Sequence, residues 1–290
     1  MKSNSNGSLE KSFAYLQPLI EISPQIGIIL GSGLGGFVEE LHNKKEISTS
    51  QIPNFPLSTV QGHRGNLVFG HLNNIPLMIV QGRTHFYEGY KIHEVSFIVR
   101  VMARMGIKLL IVTNAAGSVN SRYKPGDFMI ITDHINFMFQ NPLRGPVQNK
   151  EQRWPDMFNA YDETLSFYLE KVACDLGISM KKGTLFASSG PTYETAAEVQ
   201  MARSFGADVV SMSTVPEVIV ARANLIKVVG ISCITNMATG LSQMKLSHAE
   251  VTRIAKQVQK KFRDLLKAFI QRYACISLGK THMGDVSSIK

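Results

Sequence analysis

The 290-residue sequence predicts a single α/β domain built on a central mixed β-sheet flanked by helices. Three observations predict it. Short β-rich apolar runs alternate with helical patterns along the chain. Most of those runs lack the polar alternation of a half-exposed strand, so both faces need cover. Beyond the first eight residues no low-complexity stretch, repeat or linker-like shift divides the chain. The domain is therefore expected over residues 9–276, between a disordered polar tail at 1–8 and a polar, basic tail at 277–290.

Strands are expected at 26–30, 66–72, 75–80, 109–113, 128–132, 182–188, 207–212 and 228–235. Asn73-Asn74 joins the second and third and suggests a hairpin. Between strands, Val95, Ile98, Val99, Met102 and Met105 follow helical spacing and stop at Gly106. Leu165, Leu169, Val172 and Leu176 do the same and stop at Gly177. Thr214-Val-Pro-Glu217 and Thr195 with Glu198 read as capping boxes. Ser247 and Glu250 form another, ahead of Val251, Ile254, Val258, Phe262, Leu265 and Phe269, which predict one long helix with His248 just inside its cap.

Composition narrows the function classes. Cys174, Cys233 and Cys275 are far apart, odd in number and form no CxxC pair, which argues against a disulfide framework or a zinc site and for a reducing compartment. The N-terminus lacks the apolar core of a signal peptide, and no run of about 18 apolar residues could span a bilayer. A cytoplasmic protein without membrane contact is expected. Lys plus Arg exceed Asp plus Glu by 31 to 22, for a net charge of +9. The basic residues are scattered and no nucleic-acid-binding motif accompanies them, so no nucleic-acid partner is expected, and the positive field equally favours a small anion such as phosphate.

Nearly every expected strand runs into small or chemically capable residues: Gly31–Gly36, Gln81–Tyr90, Asn114–Gly117, Gly190–Thr195, Ser213–Glu217 and Thr235–Asn236. If the strands are neighbours, these segments meet on one rim, where α/β folds bind ligands. Gly31, Gly33 and Gly36 satisfy GxGxxG, the dinucleotide-binding pattern of a nicotinamide-dependent oxidoreductase. That unit also needs a second strand with an acidic end about 20 residues on, whereas Glu46 opens a β-prone run and Pro53 and Pro56 follow. What survives is a backbone able to approach an anion, with the Ser32 hydroxyl beside it. Arg83 and His85, two apart in extended backbone, point the same way, and a guanidinium fork fits phosphate oxygens in pairs. Ser213 precedes a helix start, which attracts anions. Glu194, next to the Thr195 cap, serves either that cap or a ligand.

Together these segments resemble the trimeric purine nucleoside phosphorylases, a family that also contains methylthioadenosine phosphorylase. The resemblance lies in GSGLGG (31–36), IPNFP (52–56), GHRGNLVFG (62–70), QGRTHFYEGY (81–90), TNAAG (113–117), NPLRGP (141–146), GPTYET (190–195), SMSTVPEV (211–218), and ITN (234–236) followed by SH (247–248). It implies the nucleoside phosphorylase-like fold and phosphorolysis of 6-oxopurine (deoxy)ribonucleosides, with phosphate as co-substrate and no metal or organic cofactor. It also implies a homotrimer. By resemblance, phosphate meets Ser32, His63, Arg83, His85, the Ala115 N–H and Ser213. The purine meets Tyr193, Glu194, Val210 and Asn236; the ribose meets Tyr87, Met212 and His248. Trp154 stands where family members lend an aromatic residue to the neighbouring subunit. His85, Glu194 and Asn236 are the expected catalytic residues. The Asn236 amide suits a 6-oxo group, whereas the methylthioadenosine branch carries an aspartate there. The sequence departs from the family at Met237, where vertebrate members have lysine, at Ser211, where glycine is usual, and at Trp154, where phenylalanine is common.

Overall fold

The computed structural model describes residues 5–60, 62, 64–148, 150–242 and 246–277. Among them nine strands form one mixed sheet: β1 (Ile26–Leu30), β2 (His42–Ser48), β3 (Asn66–Leu72), β4 (Ile75–Gln81), β5 (Leu109–Ser118), β6 (Phe128–Asn136), β7 (Met180–Ala187), β8 (Val209–Ser211) and β9 (Lys227–Met237). The helices are α1 (Ser5–Leu16), α2 (Ile92–Val95), α3 (Phe97–Met105), α4 (Glu163–Asp175), α5 (Ala196–Ser204), α6 (Val215–Ala223), α7 (His248–Gln257) and α8 (Gln259–Ser277).

At the centre, parallel β1 lies between β4 and β5, with Ile28 opposite both Ile79 and Ile111. All five β1 residues are buried, because both faces are covered. Side chains alternate between the two covers, as strand geometry requires. Ile29, Met78, Val80, Leu110 and Val112 face one apolar cluster shared with α1, α3 and α6. Ile28, Ile79, Leu109 and Ile111 face the other, shared with α4 and α8. The hairpin expected at Asn73 joins β3 to β4, with Asn73 at φ 53°, a left-handed conformation that asparagine tolerates. Gly106, at φ 90°, ends α3, and the Asp162 carboxylate caps α4 by accepting from the Leu165 N–H at 2.9 Å.

The sheet order is β2-β3-β4-β1-β5-β8-β7-β6-β9, and β9 returns to pair with β5. An open arm thus ends in a closed ring of five strands that share β5. Ring closure explains why β5 and β9 run to Ser118 and Met237, beyond their expected ends: they pair in parallel over that whole length.

Three local expectations change. Residues 5–8, assigned to the tail, belong to α1, whose Leu9 and Leu16 are buried in the core; the boundary expected at residue 9 therefore lies inside a helix. The single C-terminal helix is two, because Val258 sits at φ −95°, ψ 1° and breaks the run. This lets α7 follow the end of β9 while α8 packs along α4. β2 escaped the reading of apolar runs because it is a mostly exposed, charged edge strand. No helix among the described residues is long and apolar enough to cross a membrane.

Candidate active site

β1 ends at Leu30 and β8 begins at Val209, so one edge of β5 has no strand beside it between Val112 and Gly117. A cavity open at its mouth occupies that gap. It is lined by the ends of β1, β4, β5, β8 and β9, the rim inferred from the sequence.

The glycine loop forms one wall. A Cβ on Gly31 would lie 2.7 Å from the Asn114 Cα, so only glycine lets the chain leave β1 this close to β5. The Gly31 N–H donates to the Thr113 hydroxyl at 2.9 Å, which sets Ser32 in the lining. The chain then enters a 3₁₀ turn and the edge strand β2, which pairs antiparallel with β3. No βαβ unit follows the glycines, in keeping with the rejection of the dinucleotide pattern.

Arg83, just past β4, is 3% exposed. Its Nη1 donates to Glu217 Oε1 at 3.2 Å and to the Thr214 hydroxyl at 3.4 Å, and its Nη2 donates to the Thr113 carbonyl. Burial lowers the guanidinium's pKa and the Glu217 carboxylate opposes the shift; the pair keeps the cation in place. This pairing also undoes the capping box expected at Thr214. Glu217 turns to Arg83, and the Thr214 hydroxyl accepts from Asn114 Nδ2 at 2.8 Å instead of capping α6. Thr214 sits at φ 80°, a costly conformation for a β-branched residue that the surrounding bonds sustain. Ser213 lies beside it with its hydroxyl 3.3 Å from that of Thr214.

His85 is held by Glu88, which sequence reasoning left out of the site. Glu88 Oε1 meets His85 Nδ1 at 3.0 Å and accepts the His85 N–H at 2.7 Å, while Oε2 accepts from the Thr59 N–H and, at 2.8 Å, from its hydroxyl. Burial alone would raise the Glu88 carboxyl, but these bonds outweigh it and hold its pKa at about 2. Burial also lowers the His85 pKa, against the pull of Glu88, so the ring is neutral near pH 7. An ionised carboxylate can only accept, which places the ring proton on Nδ1. The H-x-x-E spacing was the available signal for Glu88.

Ala115 lines the cavity between these groups and Gly117, Tyr193, Glu194, Val210, Met212 and Asn236. The Ser188 hydroxyl donates to Glu194 Oε1 at 2.7 Å, while the Thr195 cap is made by Glu198; Glu194 is thus not spent on the cap. Thr235 donates to Asn236 Oδ1 at 2.9 Å, and Asn236 Nδ2 donates to the Met237 carbonyl at 3.1 Å, which fixes the amide's orientation. Tyr87 stacks on His85 with ring centroids 4.8 Å apart. Burial raises its pKa to about 12, so it remains a neutral phenol.

Of the expected site residues, the cavity gathers Ser32, Arg83, His85, Tyr87, Ala115, Tyr193, Glu194, Val210, Met212, Ser213 and Asn236. His63 lies outside the described residues, as does the side chain of His248, whose backbone opens α7. Trp154 is 87% exposed and does not line the cavity of its own chain. Among the described residues no group of three or more His, Cys, Asp or Glu is placed to hold a metal ion.

The profile of the Phosphorylase superfamily matches residues 25–271. The chain is 50% identical over 266 residues to purine nucleoside phosphorylase 1 of Bacillus subtilis, covering 91% of this chain and 98% of that protein. Crystal structures of Schistosoma mansoni purine nucleoside phosphorylase superpose with a TM-score of 0.87. The complex with inosine is 38% identical, covering 92% of this chain and 97% of that one; the complex with adenosine is 39% identical, covering 92% and 98%. Sequence and fold agree over nearly the whole domain, and the chain belongs to the purine nucleoside phosphorylases of the phosphorylase superfamily.

Proposed function

We propose that this cavity is the site at which the chain splits 6-oxopurine ribo- and deoxyribonucleosides with inorganic phosphate, as a pentosyltransferase yielding free base and (deoxy)ribose 1-phosphate. The observation that carries the proposal is one cavity lined both by the anion-binding groups Ser32, Arg83 and Ser213 and by Glu194 and Asn236. Phosphate is held by donors from Ser32, Arg83, the Ala115 N–H and Ser213, with the neutral His85 accepting from a protonated phosphate oxygen and His63 as a further ligand by resemblance. The ribose lies between, against Tyr87 and Met212, with His248 at its 5′-hydroxyl. The purine packs on Tyr193 and Val210.

Breaking the C1′–N9 bond sends its electron pair into the base and leaves positive charge on the sugar. Phosphate fixed beneath C1′ stabilises that cation and then bonds to it, with inversion. Asn236 hydrogen-bonds N7 and O6 as negative charge gathers there, and Glu194 holds the N1 edge. No step requires a metal or an organic cofactor.

The exposed Trp154, joined by Phe139 and Phe158 at 79% and 86% exposure, suits a surface covered by another copy of the chain. It supports a homotrimer in which Trp154 closes the neighbour's sugar site. Three free cysteines suit the cytoplasm. Incubation with inosine, with and without phosphate, tests the reaction: hypoxanthine release that persists undiminished without phosphate would refute phosphorolysis. Preference for methylthioadenosine over inosine would refute the roles of Asn236 and His248.

A further inference from the structure

We infer that Ser211 masks a backbone carbonyl at the phosphate end of the cavity and so turns the open edge of β5 into a wall of donors. The inference rests on the phosphate reading above. In a strand the N–H and C=O of one residue point to the same side, and alternate residues repeat that direction. On the edge of β5 that faces the cavity, Thr113 and Ala115 therefore present both donors and acceptors. The other edge is paired with β9, and Ala116, one residue on, turns its carbonyl that way, 3.4 Å from the Thr235 hydroxyl.

A bare carbonyl oxygen on the cavity edge would repel an anion held by the neighbouring N–H. Both carbonyls there are covered. Arg83 Nη2 donates to that of Thr113, and the Ser211 hydroxyl donates to that of Ala115 at 3.1 Å. Ser211 is 8% exposed and lines the cavity, with its oxygen 3.5 Å from that of Ser213. The masked carbonyl thus lies beside two anion ligands, the Ala115 N–H and the Ser213 hydroxyl. Ser211 acts through Ala115 and is a positioning residue.

The test is steady-state kinetics of Ser211→Ala and Ser211→Thr, with phosphate and inosine varied independently. Ser211→Ala should raise the KM for phosphate about five- to tenfold, the scale of one lost hydrogen bond, and leave kcat and the KM for inosine within about twofold. Ser211→Thr keeps the hydroxyl and should restore the parent phosphate KM. An unchanged phosphate KM in Ser211→Ala, an equal rise in both KM values, or a threonine variant as impaired as the alanine one would overturn the inference. If the parent released base without phosphate, the reading beneath it would fail instead.

Discussion

Replacing Glu88 with glutamine tests whether a buried carboxylate sets the state of His85. The Glu88 side chain is 1% exposed and accepts four hydrogen bonds, two from His85 and two from Thr59. A glutamine offers one acceptor oxygen, so the second pair of donors meets an NH₂ group. The drop in pKa from the ordinary 4.5 to about 2 corresponds, at about 1.4 kcal/mol per pH unit, to about 3–3.5 kcal/mol. Losing one or two charge-assisted bonds costs about 1.5–3 kcal/mol each.

Because the folded pKa lies below the unfolded one, this stabilisation is present above about pH 4.5 and is lost as pH falls through about 2. Urea denaturation of parent and variant should thus differ by about 3 kcal/mol at pH 7, and the gap should close between about pH 5 and pH 2. At pH 7 the variant's kcat/KM for phosphate should fall about 10- to 100-fold, with a smaller change in the KM for inosine, since His85 loses its fixed proton. A stability gap independent of pH, or an unaltered phosphate dependence, would refute the assignment.

The base end gives the remaining predictions. Asn236→Asp should raise the ratio of adenosine to inosine kcat/KM by about tenfold or more, and a flat ratio would deny the amide its part in choosing a 6-oxo base; Asn236→Ala should lower turnover on inosine about 100-fold. A Cβ at residue 117 would sit 2.9 Å from Asn236 Nδ2. Gly117→Ala should therefore displace the amide and reduce kcat/KM for inosine about tenfold, with the thermal midpoint nearly unchanged; full activity would show that Asn236 need not stay where it lies. Trp154→Ala should raise the KM for inosine about tenfold and leave that for phosphate alone, and a fully active monomer in sedimentation would exclude the borrowed aromatic.

The elements readable in the sequence are those made by neighbours along the chain. Helical spacing up to Gly106 and Gly177, the caps at Thr195 and Ser247, and the Asn73 turn depend on contacts within a few residues, and each recurs in the structure. Strand ends rich in glycine, hydroxyl and charge marked the rim for the same reason: they break an apolar run. Where a distant group competes, the local reading fails. Thr214 to Glu217 has the spacing of a cap, yet Arg83, 134 positions away from Glu217, takes the carboxylate because a buried guanidinium has more to lose without it.

Tertiary structure alone decided three things. It closed five strands into a ring through β5 and β9, a pairing between segments more than 100 residues apart. It opened the cavity where β1 stops short of β8. It also covered the Thr113 and Ala115 carbonyls with side chains from other strand ends. The sequence by itself determined which residues could bind an anion and a purine, because donor chemistry belongs to the residue. Their arrangement around one cavity came from burial of the apolar strands, which brings distant segments together and carries no mark in local spacing.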